Sequence, residues 1–316
     1  MKTMKWLIKR ELWEHKGMLV WTPLVIAGLI AALALLAVFI GKDIQLSGDA
    51  ITAQSFTVSI QGQARATLVS TLAQGYIVSA VPVYLVLGFL VFFYCLGALN
   101  DERRDRSILF WKSLPVSDQT TVLSKVVTAL VVAPLIVIGI AVALSLVLLL
   151  AVAAKLSLHG TVLFGDLLAT PELYLAPLRV LGLLPVYMLW ALPTVGWLLM
   201  ISSMVRSKVF VWAVGLPVGA GLLLVWMQKV LGFDLSVGWF ISNVTNRLLL
   251  GVVPGSWMWF DRSRLALSEE HGLPTPTDAF LYSWSTLANV GLWVGVVAGV
   301  AMIAVAIRMR RRREEG

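Results

Sequence analysis

The chain has 316 residues, of which 59% are hydrophobic and 13% are charged, and its mean hydropathy is +0.88. Soluble domains have about a quarter of their residues charged, so this composition excludes a soluble globular protein and predicts a membrane protein. In a membrane protein, lysine and arginine near the spans determine the topology, so the net charge of +8 is interpreted first as a topology signal and not as a sign of nucleic-acid binding. A single cysteine, Cys95, excludes an internal disulfide and a multi-cysteine metal site.

Residues 1–17 are predicted to form an amphipathic helix ahead of the first apolar run. Its lysines share one stripe: Lys2, Lys5, Lys9 and Lys16. Trp6 and Trp13 flank that stripe, and Glu11 interrupts the apolar side. This pattern favours a helix that lies on the inner leaflet with its amines near anionic lipid. The alternative is that the lysines only set the topology.

Six apolar runs have the length of about 20 residues that a helix needs to cross the hydrocarbon layer. They cover residues 18–40, 77–99, 126–154, 178–205, 209–231 and 286–307. The first run is longer than the apolar core of a signal peptide, so we expect it to be retained. The predicted fold is an all-α integral membrane protein with six transmembrane helices in residues 18–307, followed by a basic tail over residues 308–316.

Lysine and arginine are distributed unevenly between the two sides of a six-span chain. One side carries eight of them: Lys42, Arg65, Lys155, Arg179, Lys229, Arg247, Arg262 and Arg264. The remaining 17 of the 25 lie on the side of both termini and of residues 100–125. The positive-inside rule then predicts a multi-pass protein of the cell membrane, in bacteria the cytoplasmic membrane, with both termini in the cytoplasm.

Residues 100–125, between the second and third runs, form the densest mixed-charge block of the chain. It begins with six charged residues: Asp101, Glu102, Arg103, Arg104, Asp105 and Arg106. An apolar group follows: Ile108, Leu109, Phe110 and Trp111. Ser117 or Asp118 is expected to cap the next helix. An apolar anchor with a charged rim suits a docking element, and the alternative is a solvated loop with topology charges.

The outer segment 232–285 is long and rich in aromatic residues. They are Trp239, Phe240, Trp257, Trp259, Phe260, Phe280, Tyr282 and Trp284. Two interpretations stay open, an aromatic belt at the outer interface and a re-entrant element. In the last run, Gly291, Gly295 and Gly299 share one face and predict close helix packing, within the chain or with a second copy.

Several kinds of chemistry have no support in the sequence. No Asp, Glu or His lies in the middle of an apolar run, which argues against a carrier coupled to protons or sodium. Lys125 lies near the end of a run, where its side chain can reach the interface. His15, His159 and His271 share no metal-ligand spacing, and Gly41–Lys42 lacks the rest of a phosphate-binding loop. The chain itself is therefore not expected to be an enzyme, to bind a cofactor or metal, or to bind nucleic acid.

In layout the chain resembles the permease subunit of an ABC-2 type transporter. The resemblance is carried by the six runs, by residues 8–14 (Ile-Lys-Arg-Glu-Leu-Trp-Glu) and by the block from Asp101 to Ser117. It implies an exporter in which two permease copies, expected to form a homodimer in membrane lipid, pair with two separate ABC ATPase subunits that hold ATP and Mg. The apolar spans themselves suggest a hydrophobic or amphipathic substrate. Residues 100–125 would be the coupling helix, docked on the ATPase through residues 101–106 and 108–111, and residues 1–17 would be the elbow helix.

Two other functions remain open. The first is a membrane scaffold or sensor that docks a soluble cytoplasmic partner through the same block. The second is an intramembrane enzyme that acts on lipid or polyprenyl substrates, which the lack of a convergent polar cluster disfavours.

Overall fold

In a computed structural model of the chain, the structure describes residues 2–40, 62–104, 117–158, 160–233, 236–260 and 276–312. Within these ranges the regular elements are helices and no strand occurs. Six helices are long and apolar enough to cross a membrane: Gly17–Ile40, Arg65–Arg104, Asp118–Leu158, Glu172–Met204, Val209–Leu231 and Val290–Arg311. We call them the first to the sixth span. The predicted all-helical class with six such helices is confirmed.

The helices follow one another with short interruptions. In chain order they are α1 (Lys2–Glu14), α2 (Thr22–Ile40), α3 (Gln63–Gly75), α4 (Val81–Gly97), α5 (Asn100–Arg104), α6 (Asp118–Val127), α7 (Ala133–Leu158), α8 (Phe164–Ala169), α9 (Glu172–Gly182), α10 (Leu184–Met204), α11 (Val209–Leu231), α12 (Val237–Phe240), α13 (Asn246–Leu250), α14 (Ser256–Phe260), α15 (Pro276–Ser285) and α16 (Val290–Arg312). Turns of π-helix at Gly17–Trp21, Thr128–Val132 and Ile241–Thr245, and 3₁₀ turns at Tyr76–Ala80 and Thr286–Ala288, join neighbouring helices.

The entry helix α1 packs one face against α6 and exposes the other. Leu7 and Glu11, one turn apart, are buried, whereas Trp6 and Trp13 are exposed. The ammonium of Lys9 lies 5.3 Å from the centre of the Trp6 ring. The side that carries Glu11 is therefore the packed side, and the lysine and tryptophan side remains available to lipid.

The second and third spans are longer than the predicted runs, at 40 and 41 residues. At 1.5 Å per residue each is about 60 Å long, roughly twice the thickness of the hydrocarbon layer. Their ends farthest from the two termini join α8 and α9 in a small second core that contains Val69, Ala73 and Leu163. An ion pair of 2.5 Å between Arg65 and Asp166 closes its surface. The helical turns that extend past the hydrocarbon layer bury their apolar side chains against α8 and α9 instead of against lipid.

The main core lies between α4, α7, α10 and α16. The closest approach is between α10 and α16, where a Cβ atom on Gly196 would lie 2.5 Å from the carbonyl oxygen of Gly299. Glycine at both positions lets the two backbones touch. The first span is peripheral and packs on α7 and α4.

The outer segment returns into the bundle between residues 236 and 260. The Thr245 hydroxyl donates to the carbonyl of Pro217, partway along α11, at 3.3 Å. The chain reverses over residues 251–255, where Gly255 has a φ of 82°. There the Val253 side chain fills the space beside Gly88, near the middle of α4. These contacts favour a re-entrant element, one of the two interpretations that the aromatic segment left open, and we call residues 236–260 the re-entrant element.

Candidate functional site

Six charged side chains from four helices meet at the end of the bundle that holds both termini. They are Arg10 and Glu11 of α1, Glu102 of α5, Asp118 and Lys125 of α6, and Arg310 of α16. We call this set the ionic network. It has three carboxylates and three cations, and Arg10 also lies 3.5 Å from the half-exposed carboxylate of Glu14. The Glu11 side chain is 0% exposed and that of Lys125 is 1% exposed, so its centre is shielded from solvent.

Lys125 occupies the centre of the network. Its Nζ lies 3.1 Å from both carboxylate oxygens of Glu11 and 2.9 Å from Oε1 of Glu102. Arg10 reaches the same two carboxylates at 2.7 and 2.8 Å, and the Tyr94 hydroxyl donates to Glu11 at 2.8 Å. Because buried ions are stable only when each is paired and hydrogen-bonded, these contacts depend on one another.

Arg310 joins the two ends of the segment 105–116. Its Nη1 lies 2.9 Å from Oε2 of Glu102, just before that segment, and its Nε lies 3.0 Å from Oδ1 of Asp118, just after it. One guanidinium fork thus holds both flanks with separate charge-assisted hydrogen bonds. Since Arg310 belongs to the sixth span, the flanks of the segment are attached to that span.

Two further devices fix these flanks. Ser117 caps α6, accepting a hydrogen bond from the Thr120 amide at 3.2 Å, so Ser117 is the cap of the two predicted candidates. Arg103 donates to carbonyls at the end of α10, at 2.8 Å to Ser203 and 3.1 Å to Val205, and also to Ser202. These carbonyls would otherwise lack partners at a helix end. The flank before the segment is therefore bound to the fourth span as well.

The predicted docking residues fall into three groups in the structure. Asp101 and Arg104 are exposed, whereas Glu102 is buried in the ionic network and Arg103 is turned onto the end of α10. The remaining six, Asp105, Arg106, Ile108, Leu109, Phe110 and Trp111, lie outside the described residues. Docking by this block stays a prediction, and two of its residues have internal partners.

Sequence reasoning missed the ionic network. From the sequence, Glu11 is interpreted only as an interruption of the apolar face of the entry helix. Lys125 is interpreted as a charge that reaches the interface, and Arg310 as one of the charges that set the topology. The available signal was a carboxylate on the packed side of an amphipathic helix together with a lysine beside an apolar run. Buried charges of opposite sign require each other, so these two residues could have been paired.

The three predicted packing glycines have different neighbours. A Cβ atom on Gly299 would lie 2.9 Å from the backbone of Leu192 in α10. Gly295 faces the guanidinium of Arg247, and the carbonyl of Gly291 accepts a hydrogen bond from the same group. Gly299 thus serves helix packing within the chain, Gly295 leaves space for the Arg247 guanidinium, and Gly291 contacts that group only through its backbone carbonyl.

Among the residues that the structure describes, no group of three or more His, Cys, Asp or Glu side chains could hold a metal ion. No protein-family model matches the chain, and neither a curated protein nor a solved structure is significantly similar to it. The function must therefore be inferred from the ionic network and from residues 105–116, whose flanks the network holds.

Proposed function

We propose that this chain is the permease subunit of an ABC-2 type exporter driven by separate ATPase subunits. The observation that carries the proposal is the attachment of both flanks of residues 105–116 to Arg310 of the sixth span. A segment that docks on a motor must be connected firmly to the helices that move. The network supplies such a connection, and it also includes the entry helix through Glu11.

The mechanism would be a population shift. ATP and Mg bound by two ATPase subunits would close the ATPase pair and carry the docked segments with it. Through Glu102, Lys125 and Arg310, this movement would reach the second, third and sixth spans of each of two permease copies, which form a homodimer. ATP drives the change from inward-open to outward-open only to the extent that it favours one state over the other.

In this proposal the docking surface is formed by Ile108, Leu109, Phe110 and Trp111, with Asp101 and Arg104 at its rim. Glu102 and Arg103 would act indirectly by fixing the flank. The protein would lie in the bacterial cytoplasmic membrane with both termini in the cytoplasm and would export a hydrophobic or amphipathic substrate. The chain itself would bind no nucleotide.

The test is co-purification with a candidate P-loop ATPase that has no spans of its own. Replacing Phe110 and Trp111 by Ala is expected to weaken ATPase capture, because aromatic anchors at interface centres contribute about 2 kcal/mol or more, roughly 30-fold in affinity. The matched control is W239A/W259A, which removes two exposed aromatic side chains from the outer segment. Full ATPase capture and full transport by F110A/W111A would refute the docking role.

A scaffold or sensor is the second candidate, since the same network would also hold a segment that binds a static soluble partner. The two functions differ in energy use. An exporter stimulates its ATPase when substrate is present, whereas a scaffold leaves hydrolysis unchanged. A screen of peptides, lipids and drugs for stimulation of the co-expressed ATPase separates them.

A further inference from the structure

The re-entrant element carries Arg247 into the interior of the bundle. The residue is 8% exposed and lies beside Trp190 of the fourth span and Gly295 of the sixth. Both neighbours are about 20 Å along their helices from the end that holds the ionic network, at 1.5 Å per residue. In a hydrocarbon layer about 30 Å thick, Arg247 therefore lies inside the layer but near the boundary opposite the ionic network, beside the first turn of α16. The sequence had placed it in an outer loop.

Backbone carbonyls and an aromatic ring surround the guanidinium of Arg247. One terminal nitrogen donates to the Gly291 carbonyl and the other to the Leu292 carbonyl at 2.9 Å, and the guanidinium lies 4.7 Å from the centre of the Trp190 ring. Its Nε is buried and has no hydrogen-bond partner. Within the described ranges no carboxylate pairs with it.

Other arginines on the outer side are paired. Arg65 lies 2.5 Å from Asp166, and Arg179 lies 2.6 Å from Glu172. Both of these are more exposed than Arg247. The most buried of the three cations is therefore the one for which the described part of the chain supplies no carboxylate. Charged residues at membrane depth are costly and typically mark sites at which ligands or ions are handled.

The surrounding backbone also suits a ligand site. Non-helical backbone at membrane depth is tolerated only where protein buries it or where it lines a cavity, and broken helices near the middle of the membrane commonly form substrate sites. The reversal over residues 251–255 directly follows the helix of Arg247. Gly295 leaves the space that the guanidinium occupies, since a Cβ atom there would collide with it.

We infer that Arg247 is the anion-recognition residue of a substrate site in the re-entrant element, and that the substrate is an amphipathic molecule with a carboxylate or phosphate group. This inference rests on the proposed exporter function. An anionic oxygen would take the place of the Gly291 or Leu292 carbonyl and would also give the Nε proton an acceptor. The apolar part of the molecule would lie along the aromatic side chains of residues 236–260.

The experiment measures ligand-induced thermal stabilisation of the purified full chain in uncharged detergent. The probes are dodecyl phosphate, dodecanol, which has the same alkyl chain without the charge, and inorganic phosphate. Wild type is expected to bind dodecyl phosphate at least about tenfold more tightly than dodecanol, because hydrogen bonds to charged groups are worth about that factor. R247Q is expected to lose this preference and R247K to retain part of it. The matched control R179Q is expected to keep it.

Each outcome decides the inference. Equal affinity of wild type for dodecyl phosphate and dodecanol overturns it without any variant, so a folding failure of R247Q does not prevent a decision. A preference that survives in R247Q also overturns it. Stabilisation by inorganic phosphate but not by dodecyl phosphate overturns the amphipathic substrate class, and stabilisation by dodecyl phosphate but not by inorganic phosphate supports it. Because no ATPase is present, failure here is distinct from failure of ATPase capture by the wild-type chain.

Discussion

Replacing Lys125 by methionine is expected to destabilise the protein strongly, although the methionine side chain fills nearly the same volume as the lysine side chain. The side chain is 1% exposed and makes ionic contacts of 3.1, 3.1 and 2.9 Å to Glu11 and Glu102. Removing one member of a buried ion pair leaves an uncompensated charge and costs about 3–5 kcal/mol. That corresponds to a shift of roughly 100- to 4,000-fold in the unfolding equilibrium.

The structure also predicts a rescue. In K125M, the carboxylates of Glu11 and Glu102 lose the buried cation that lies between them. Adding Glu11→Gln removes one of the two buried carboxylates that K125M leaves without the lysine, so the double variant K125M/E11Q is expected to recover about 1–3 kcal/mol of the loss, in the range measured for directly coupled side chains.

The assay is unfolding by titration with sodium dodecyl sulfate in mixed micelles, followed by tryptophan fluorescence and circular dichroism. The matched control is K229M, which removes an exposed lysine from the outer end of α11 and should change stability by no more than about 0.5 kcal/mol. If K125M lies within about 1 kcal/mol of wild type, or if K125M/E11Q is no more stable than K125M, the network is not a buried set of coupled ion pairs.

Two further predictions concern the sixth span. R310Q, which releases Glu102 and Asp118, is expected to reduce substrate-stimulated ATP hydrolysis by the co-expressed ATPase more than it reduces ATPase capture. The control R308Q, at an exposed position two residues away, should reduce neither. Equal effects of the two variants would contradict a special role for Arg310. G299A is expected to destabilise the protein by about 1–3 kcal/mol because a Cβ there meets the backbone of Leu192. G215A, in open space on α11, should be neutral or stabilising by up to about 1 kcal/mol in the same unfolding titration, and a G299A variant as stable as G215A would contradict the close approach of α10 and α16.

The sequence predicts the spans well because apolar length is a local property that the hydrocarbon thickness dictates. It underestimates the second and third spans, since their outer turns contain polar residues such as Thr67 and Ser70 and depend on contacts with Leu163 and Leu167. The ionic network depends on partners far apart in the chain, with Arg310 and Glu102 separated by 208 positions. No local pattern encodes such a pairing.

Arg247 shows a second reason for the limit of sequence reasoning. The positive-inside rule assigns each charge to one side of the membrane and has no place for a charge inside it. The usable signal was the turn chemistry of Gly251, Pro254 and Gly255 between two short aromatic stretches, which is typical of a tight reversal. That pattern favours a re-entrant element over a belt but does not give its depth, which follows only from the contacts with Gly88 and Trp190.

The two unusual charge sites are connected by a single helix. α16 is held near its first turn by Arg247, through the carbonyls of Gly291 and Leu292, and near its last turn by Arg310, through Glu102 and Asp118. Between them Gly299 keeps α16 in backbone contact with α10. A ligand that takes the place of the carbonyls at one end and a motor that pulls the flanked segment at the other would act on the same rigid element. Any coupling between them must then be reciprocal, so an anion at Arg247 would change the affinity for the ATPase as much as the docked ATPase changes the affinity for the anion.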